Sequence, residues 1–124
     1  MARDLEAQRA MNSEQLAQRV KMGDHLEVER EIEHFALFTG RKEADAARAQ
    51  LVAAGYSANV SRKGWSKFEL RARNITSIGA HEVDDVVCRV FAVVERHHGI
   101  YDGWGGPLAF RSAQTGTAPA EGEK

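Results

Sequence analysis

A single cysteine, Cys88, stands in 124 residues, so no internal disulfide can staple the chain and a reducing compartment is expected. No apolar run approaches the ~20 residues that cross a bilayer. Met1-Ala2-Arg3-Asp4-Leu5-Glu6 lacks the apolar core of a signal peptide, so a cytoplasmic protein with no membrane partner is expected. Charge of one sign is not in excess either. The 17 basic and 18 acidic side chains give a net charge of -1, which removes bulk attraction to nucleic acid or anionic lipid and leaves only local patches. Metal-ligand spacing is also missing. His25, His34, His81, His97 and His98 form no His-x-x-x-His pair, no Cys-x-x-Cys exists, and the adjacent His97 and His98 point to different helix faces. Surface and helix-end histidines are expected, with no metal and no cofactor.

With 43% hydrophobic and 28% charged residues, the chain suits one soluble domain with polar tails. Residues 2–22 are rich in helix formers, and Asn12 with Gln15 could form a capping box inside the run. Gly23 offers its stop. The apolar residues Leu5, Leu16, Ala17, Val20 and Met22 give only a narrow stripe, which predicts an appended, loosely docked helix over residues 1–24. A dimerising helix is the sharper alternative, and with it a homo-oligomer.

Glu31 to Thr39 reads as a strand, with Ile32, His34, Ala36 and Phe38 on one face and Phe35 and Leu37 on the other, as in a sheet interior. A helix follows from Arg41 to Ala54, capped by Gly55. Tyr56, Ala58 and Val60 alternate with Ser57, Asn59 and Ser61, Arg62-Lys63-Gly64 makes a hairpin turn, and Trp65 to Asn74 resumes the alternation. Thr76 or Ser77 can cap a helix from about Ala80 to His97, where Val83, Val87, Val90 and Val94 form a stripe widened by Val86, Phe91 and Val93. Gly99 ends it, and a last strand runs from Ile100 to about Phe110.

This order predicts an α+β fold: a ferredoxin-like βαββαβ sandwich over residues 25–111, with an antiparallel four-stranded sheet, two helices on one face and an extra N-terminal helix. Beyond Arg111 no apolar period remains, and 112–124 reads as a disordered tail.

The densest cluster of special residues is Tyr101-Asp102-Gly103-Trp104-Gly105-Gly106. It carries no Lys, Ser or Thr after its glycines and opens no helix, so it is not a phosphate loop. A strand with a turn or bulge packed on the core is one reading, and a recognition surface is the other. Cys88 lies inside the valine-rich helix and reads as a packed thiol. Glu82, Asp84 and Asp85 sit in that helix's first turn, where negative charge is ordinary stabilisation. The chain shows no catalytic triad and is expected to be no enzyme.

Ile32-Glu33-His34, Ala53-Ala54-Gly55-Tyr56 and above all Tyr101-Asp102-Gly103-Trp104-Gly105 resemble the regulator of ribonuclease E activity B (RraB) family. The resemblance covers about Leu16 to Trp104. It implies a ferredoxin-like, cytoplasmic bacterial protein that binds an endoribonuclease of the RNase E type and inhibits RNA cleavage, with no catalytic residues. The contact residues expected on this reading are Tyr101, Asp102, Gly103, Trp104, Trp65 and His34, because exposed Trp and aromatic residues are enriched at interface hot spots.

A nucleic-acid module is the competing class, since a ferredoxin-like sheet with exposed aromatics can stack bases. Arg62, Lys63, Lys67, Arg71 and Arg73 cluster beside Trp65 and would track an RNA backbone. A solvated charged face is the simpler reading of these residues by composition, and the third strand lacks the RNP aromatic-glycine octamer.

Overall fold

The structure, a computed structural model, describes residues 5–110. The expected tail over 112–124 and the residues before Leu5 lie outside them. The elements are α1 (Leu5–Lys21), β1 (Arg30–Phe38), α2 (Arg41–Ala53), β2 (Ser57–Lys63), β3 (Lys67–Thr76), α3 (Ala80–Arg96) and β4 (Ile100–Gly105). The four strands form one antiparallel sheet in the order β2-β3-β1-β4. Strand β1 is central, as its two apolar faces predict. It pairs with β3 from Arg30↔Thr76 to Phe38↔Phe68, and β3 pairs in turn with β2 from Ser57↔Arg73 to Lys63↔Lys67.

The alternation fixes which face meets the helices. Ile32, His34, Ala36 and Phe38 of β1, Phe68, Leu70 and Ala72 of β3, and Ala58 of β2 are all buried with the helix residues. Helix α2 brings Ala44, Ala47 and Leu51, whose small side chains permit close approach. Helix α3 brings Val83, Val87, Val90, Phe91 and Val94. Burial of each such side chain contributes about 1.5–3 kcal/mol, against a helix-propensity deficit of roughly 0.5 kcal/mol per β-branched residue. Packing therefore decides for helix at this valine-rich segment. Gly55, at φ 101°, ends α2 in a left-handed turn in which the Tyr56 N–H reaches back to the Leu51 carbonyl at 3.0 Å.

Five expectations need correction. Helix α1 is firmly docked: Gln8, Asn12, Leu16 and Arg19 are buried along one of its faces. Asn12 is consequently a mid-helix residue with long-range partners and starts nothing. Helix α3 begins after Gly79 with no side-chain cap, because the Thr76 hydroxyl donates to the Ser77 carbonyl instead. Strand β4 stops at Gly105, and Trp65 lies in the turn before β3.

Beyond β4 the chain runs back across the start of the fold, because its carbonyls are claimed by arginines. Arg19 Nη2 donates to the Gly106 carbonyl at 2.8 Å, and Arg30 Nη1 donates to that of Pro107 at 3.2 Å. The His25 N–H donates to the Ala109 carbonyl at 2.8 Å. The buried carboxylate of Asp24 joins these groups: it accepts from Arg30 at 2.7 Å, from Arg19 at 3.1 Å and from the Ala109 N–H at 3.2 Å. Burial alone would raise its pKa, but the hydrogen bonds from Arg30, Ala109 and Arg19 outweigh that and hold it below the ordinary 3.8. Its contribution is present above the unfolded carboxylate pKa and is lost only as pH falls further, through the depressed folded value.

Asp24→Asn leaves two buried guanidiniums without their counter-charge. It is expected to destabilise the fold by about 3–5 kcal/mol in urea unfolding at pH 7. Loss of less than about 1 kcal/mol would show that the arginines find other partners.

Candidate functional site

The aromatic-glycine segment is shaped by a bulge. Opposite β1, Phe35 pairs with Gly103 while Ala36 pairs with Tyr101, so Asp102 is the extra residue. Gly103 takes φ 132°, a conformation that a side chain would strain. Its effect is to place both Tyr101 and Trp104 under the helices, with 0% and 6% of their surfaces exposed. Gly106, the last glycine of this segment, lies so near β1 that a Cβ there would stand 2.7 Å from the Ile32 Cδ1.

Trp104 is held by α1 at several points. Its indole N–H donates to Asn12 Oδ1 at 2.9 Å, and Gln8 Nε2 donates to the same oxygen at 3.0 Å. Asn12 Nδ2 donates onward to Asp84 Oδ1 of α3 at 3.0 Å, and Gln15 Nε2 donates to the Trp104 carbonyl at 3.2 Å. The Arg19 guanidinium lies 5.3 Å from the indole centroid. Gln8, Asn12, Gln15 and Arg19 recur at helical spacing, so a polar stripe docks this helix. Hydrophobic periodicity could not find it. The recurrence of amide and arginine side chains on one face was the available signal.

His34 is 1% exposed and bridges the layers beneath this motif. Asn74 Oδ1 can only accept, so the proton sits on His34 Nε2 at 3.2 Å from it, and His34 Nδ1 accepts from the Tyr101 hydroxyl at 3.0 Å. Burial pushes its pKa down to about 4, with the Asn74 hydrogen bond opposing that shift.

The expected contact residues thus separate. Tyr101, Trp104 and His34 are interior and position the surface from below, while Asp102 is exposed and Gly103 half-buried beside them. Trp65 is 98% exposed, but it lies at the tip of the β2–β3 hairpin, across the sheet from β4. The predicted basic cluster separates too. Arg71 and Arg73 project from the uncovered sheet face and meet Glu33 at 3.9 and 3.8 Å, while Lys63 and Arg71 both meet Glu69 at 3.5 Å. Arg62 turns toward the helix side and lies 5.2 Å from the Phe68 centroid. Cys88 is half-buried, and among the described residues no three His, Cys, Asp or Glu side chains gather as metal ligands.

The uncovered face has an apolar centre. Register rows bring Asn59, Arg71, Phe35 and Gly103 into one line and Ser61, Glu69, Leu37 and Ile100 into the next. Ile100 is 55% exposed, and Arg71 lies over the Phe35 ring with its guanidinium carbon 5.3 Å from the centroid. Such a face, apolar in the middle and charge-balanced at the side, suits contact with another protein better than attraction of a polyanion.

The sequence model of the family described as regulator of ribonuclease activity B matches residues 9–106, from the docked face of α1 to the glycine after β4. The chain belongs to the RraB family. Comparison with curated proteins gives no match. The RraB region includes both partners of the α1–β4 contact, Asn12 and Trp104, within one matched span. Family membership makes regulation of ribonuclease activity the frame for the site.

Two outcomes are expected from this geometry. Asn12→Ala orphans the Trp104 and Gln8 donors and should cost about 2–3 kcal/mol, whereas in a Trp104→Phe background the same change should cost distinctly less. Equal costs in a double-mutant cycle would remove the coupling. As for pH, an unfolded His34 binds a proton below about 6.5 while the folded one stays neutral to about 4. Its share of stability therefore declines by about 2 kcal/mol between pH 7 and 5. His34→Gln should flatten that decline in paired urea titrations.

Proposed function

We propose that this RraB-family chain is a non-enzymatic, cytoplasmic regulator that binds an endoribonuclease of the RNase E type and inhibits it by occlusion. The family match over residues 9–106 carries this reading. The element order after α1, βαββαβ, and the sheet order β2-β3-β1-β4 support a ferredoxin-like fold for it. The docking surface we assign is the uncovered sheet face around Phe35, Leu37 and Ile100, bordered by Asp102 and Gly103 at the β4 edge. Its apolar centre supplies area that a partner can desolvate, and the Glu33, Arg71 and Arg73 cluster supplies orientation at its rim. The mechanism is binding alone: no bond is made or broken by this chain. No helix among the described residues is long and apolar enough to cross a membrane.

Reconstitution with a purified endoribonuclease of this type and a fluorogenic RNA substrate tests the reading. The chain should inhibit cleavage saturably. Leu37→Glu and Ile100→Glu should each weaken inhibition about tenfold or more while leaving the circular dichroism and unfolding midpoint near those of the parent chain. Absence of inhibition, or inhibition indifferent to both charges, would overturn the assignment.

A further inference from the structure

The β2–β3 hairpin tip is unexplained by the docking face. Trp65 exposes 98% of its surface there, although a ring of that size is ordinarily well covered. Its neighbours in the turn, Gly64 and Ser66, carry no apolar bulk, so the indole stands alone. Cations surround it on both sides of the sheet. Lys67 and Lys63 emerge on the uncovered face, and Arg62 emerges on the helix side, where it and Arg41 both lie over the Phe68 ring, at 5.2 and 5.8 Å from its centroid. Lys63 has Glu69 at 3.5 Å, and Arg41 has the exposed Asp45 at 3.6 Å. Among the described residues Arg62 and Lys67 have no carboxylate partner. Arg62 Nη1 instead donates to the Trp65 carbonyl at 2.9 Å, which fixes the turn that presents the ring.

Three anionic partners fit positive charge, and the indole chooses between them. An acidic peptide would use the cations and leave the ring idle. An anionic lipid surface needs more apolar area than a single ring supplies. A single nucleic-acid strand uses both features, because its phosphates take the cations and any of its bases can stack on the free π-face. We propose that the hairpin tip binds single-stranded RNA, stacking a base on Trp65 and holding the flanking phosphates with Arg62 and Lys67. The rest of the sheet does not take part, since Arg71 and Arg73 are already matched by Glu33 and Glu69. The inference is independent of the ribonuclease-docking face and needs no partner protein.

Titration of the full chain alone with a short oligouridine, at low and at moderate salt, is the test. Trp65 emission should be quenched saturably, with Trp104 shielded inside. By anisotropy of a labelled oligonucleotide, Trp65→Ala should weaken binding about tenfold and Trp65→Phe should restore most of it. Lys67→Gln should lower the slope of log affinity against log salt by about 0.7. The proposal is overturned if oligouridine leaves the emission unchanged at low salt, or if Trp65→Ala binds as tightly as the parent. Competition by a polyglutamate peptide as effective as oligouridine would overturn it too, by showing attraction to charge without stacking. Loss of ribonuclease inhibition through Leu37→Glu with oligouridine binding intact would separate the two surfaces.

Discussion

A regular strand sends residues three apart to opposite faces. Tyr101 and Trp104 are three apart, and both are buried beneath the helices. The bulge at Asp102, released by the positive φ of Gly103, reconciles these two facts, and much of the fold hangs on it. Tyr101 reaches the His34 ring and packs 5.8 Å from Phe91 of α3, measured between ring centroids. Trp104 reaches Asn12 and, through it, Asp84. One edge strand thus clasps α1, α3 and the centre of the sheet together. Without the extra residue, one of the two rings would face solvent, and either the His34 pair or the α1 contact would go unmade.

That arrangement also decides what is left outside. Because the helix-side face of β4 is spent on the core, its solvent side presents Ile100, Asp102, Gly103 and Gly105 beside Phe35 and Leu37 of β1. Across β3 the outward cations Arg71 and Arg73, with Lys63 of β2, meet Glu33 of β1 and Glu69 at 3.5–3.9 Å. Exposed pairs at these distances contribute little to stability, on the order of 0–1 kcal/mol each. Their larger effect is on the field: they offset the basic stripe that the linear order of Arg71 and Arg73 suggests, and leave Arg62 and Lys67 as the cations of β2 and β3 without a carboxylate partner among the described residues.

The parts of this fold that were legible in the sequence are those whose burial is apolar. Strand β1 shows its central position through Ile32 and Phe38 against Phe35 and Leu37, and α3 shows its face through valines at helical spacing. The docking of α1 is not legible, for the opposite reason. Its docked face carries Gln8, Asn12 and Arg19, and a polar stripe has no hydrophobic period to detect. Its partner, the Trp104 indole, is a donor that must be met wherever it is buried, and an amide inside a helix met it. Likewise, neither composition nor spacing ties Asp24 to Arg19, Arg30 and Ala109, because the last of these arrives only when the chain returns after Pro107. Adjacency along the chain makes the basic residues look like one cluster, whereas strand pairing decides which cations meet carboxylates.

The distinction between a residue that forms the surface and one that shapes it governs how loss of function is to be read in this protein. Tyr101 and Trp104 carry the most specific part of the family resemblance, yet neither is placed to touch a partner. Replacing either loosens α1 and β4, and a loss of binding that followed would mimic the loss of a contact. Leu37, Ile100 and Trp65 lie outside the hydrogen-bonded core, so changes there alter the surface while the clasp stays closed. A variant informs about recognition only where its unfolding midpoint is unmoved, and by that criterion the aromatic-glycine motif is evidence about the fold first.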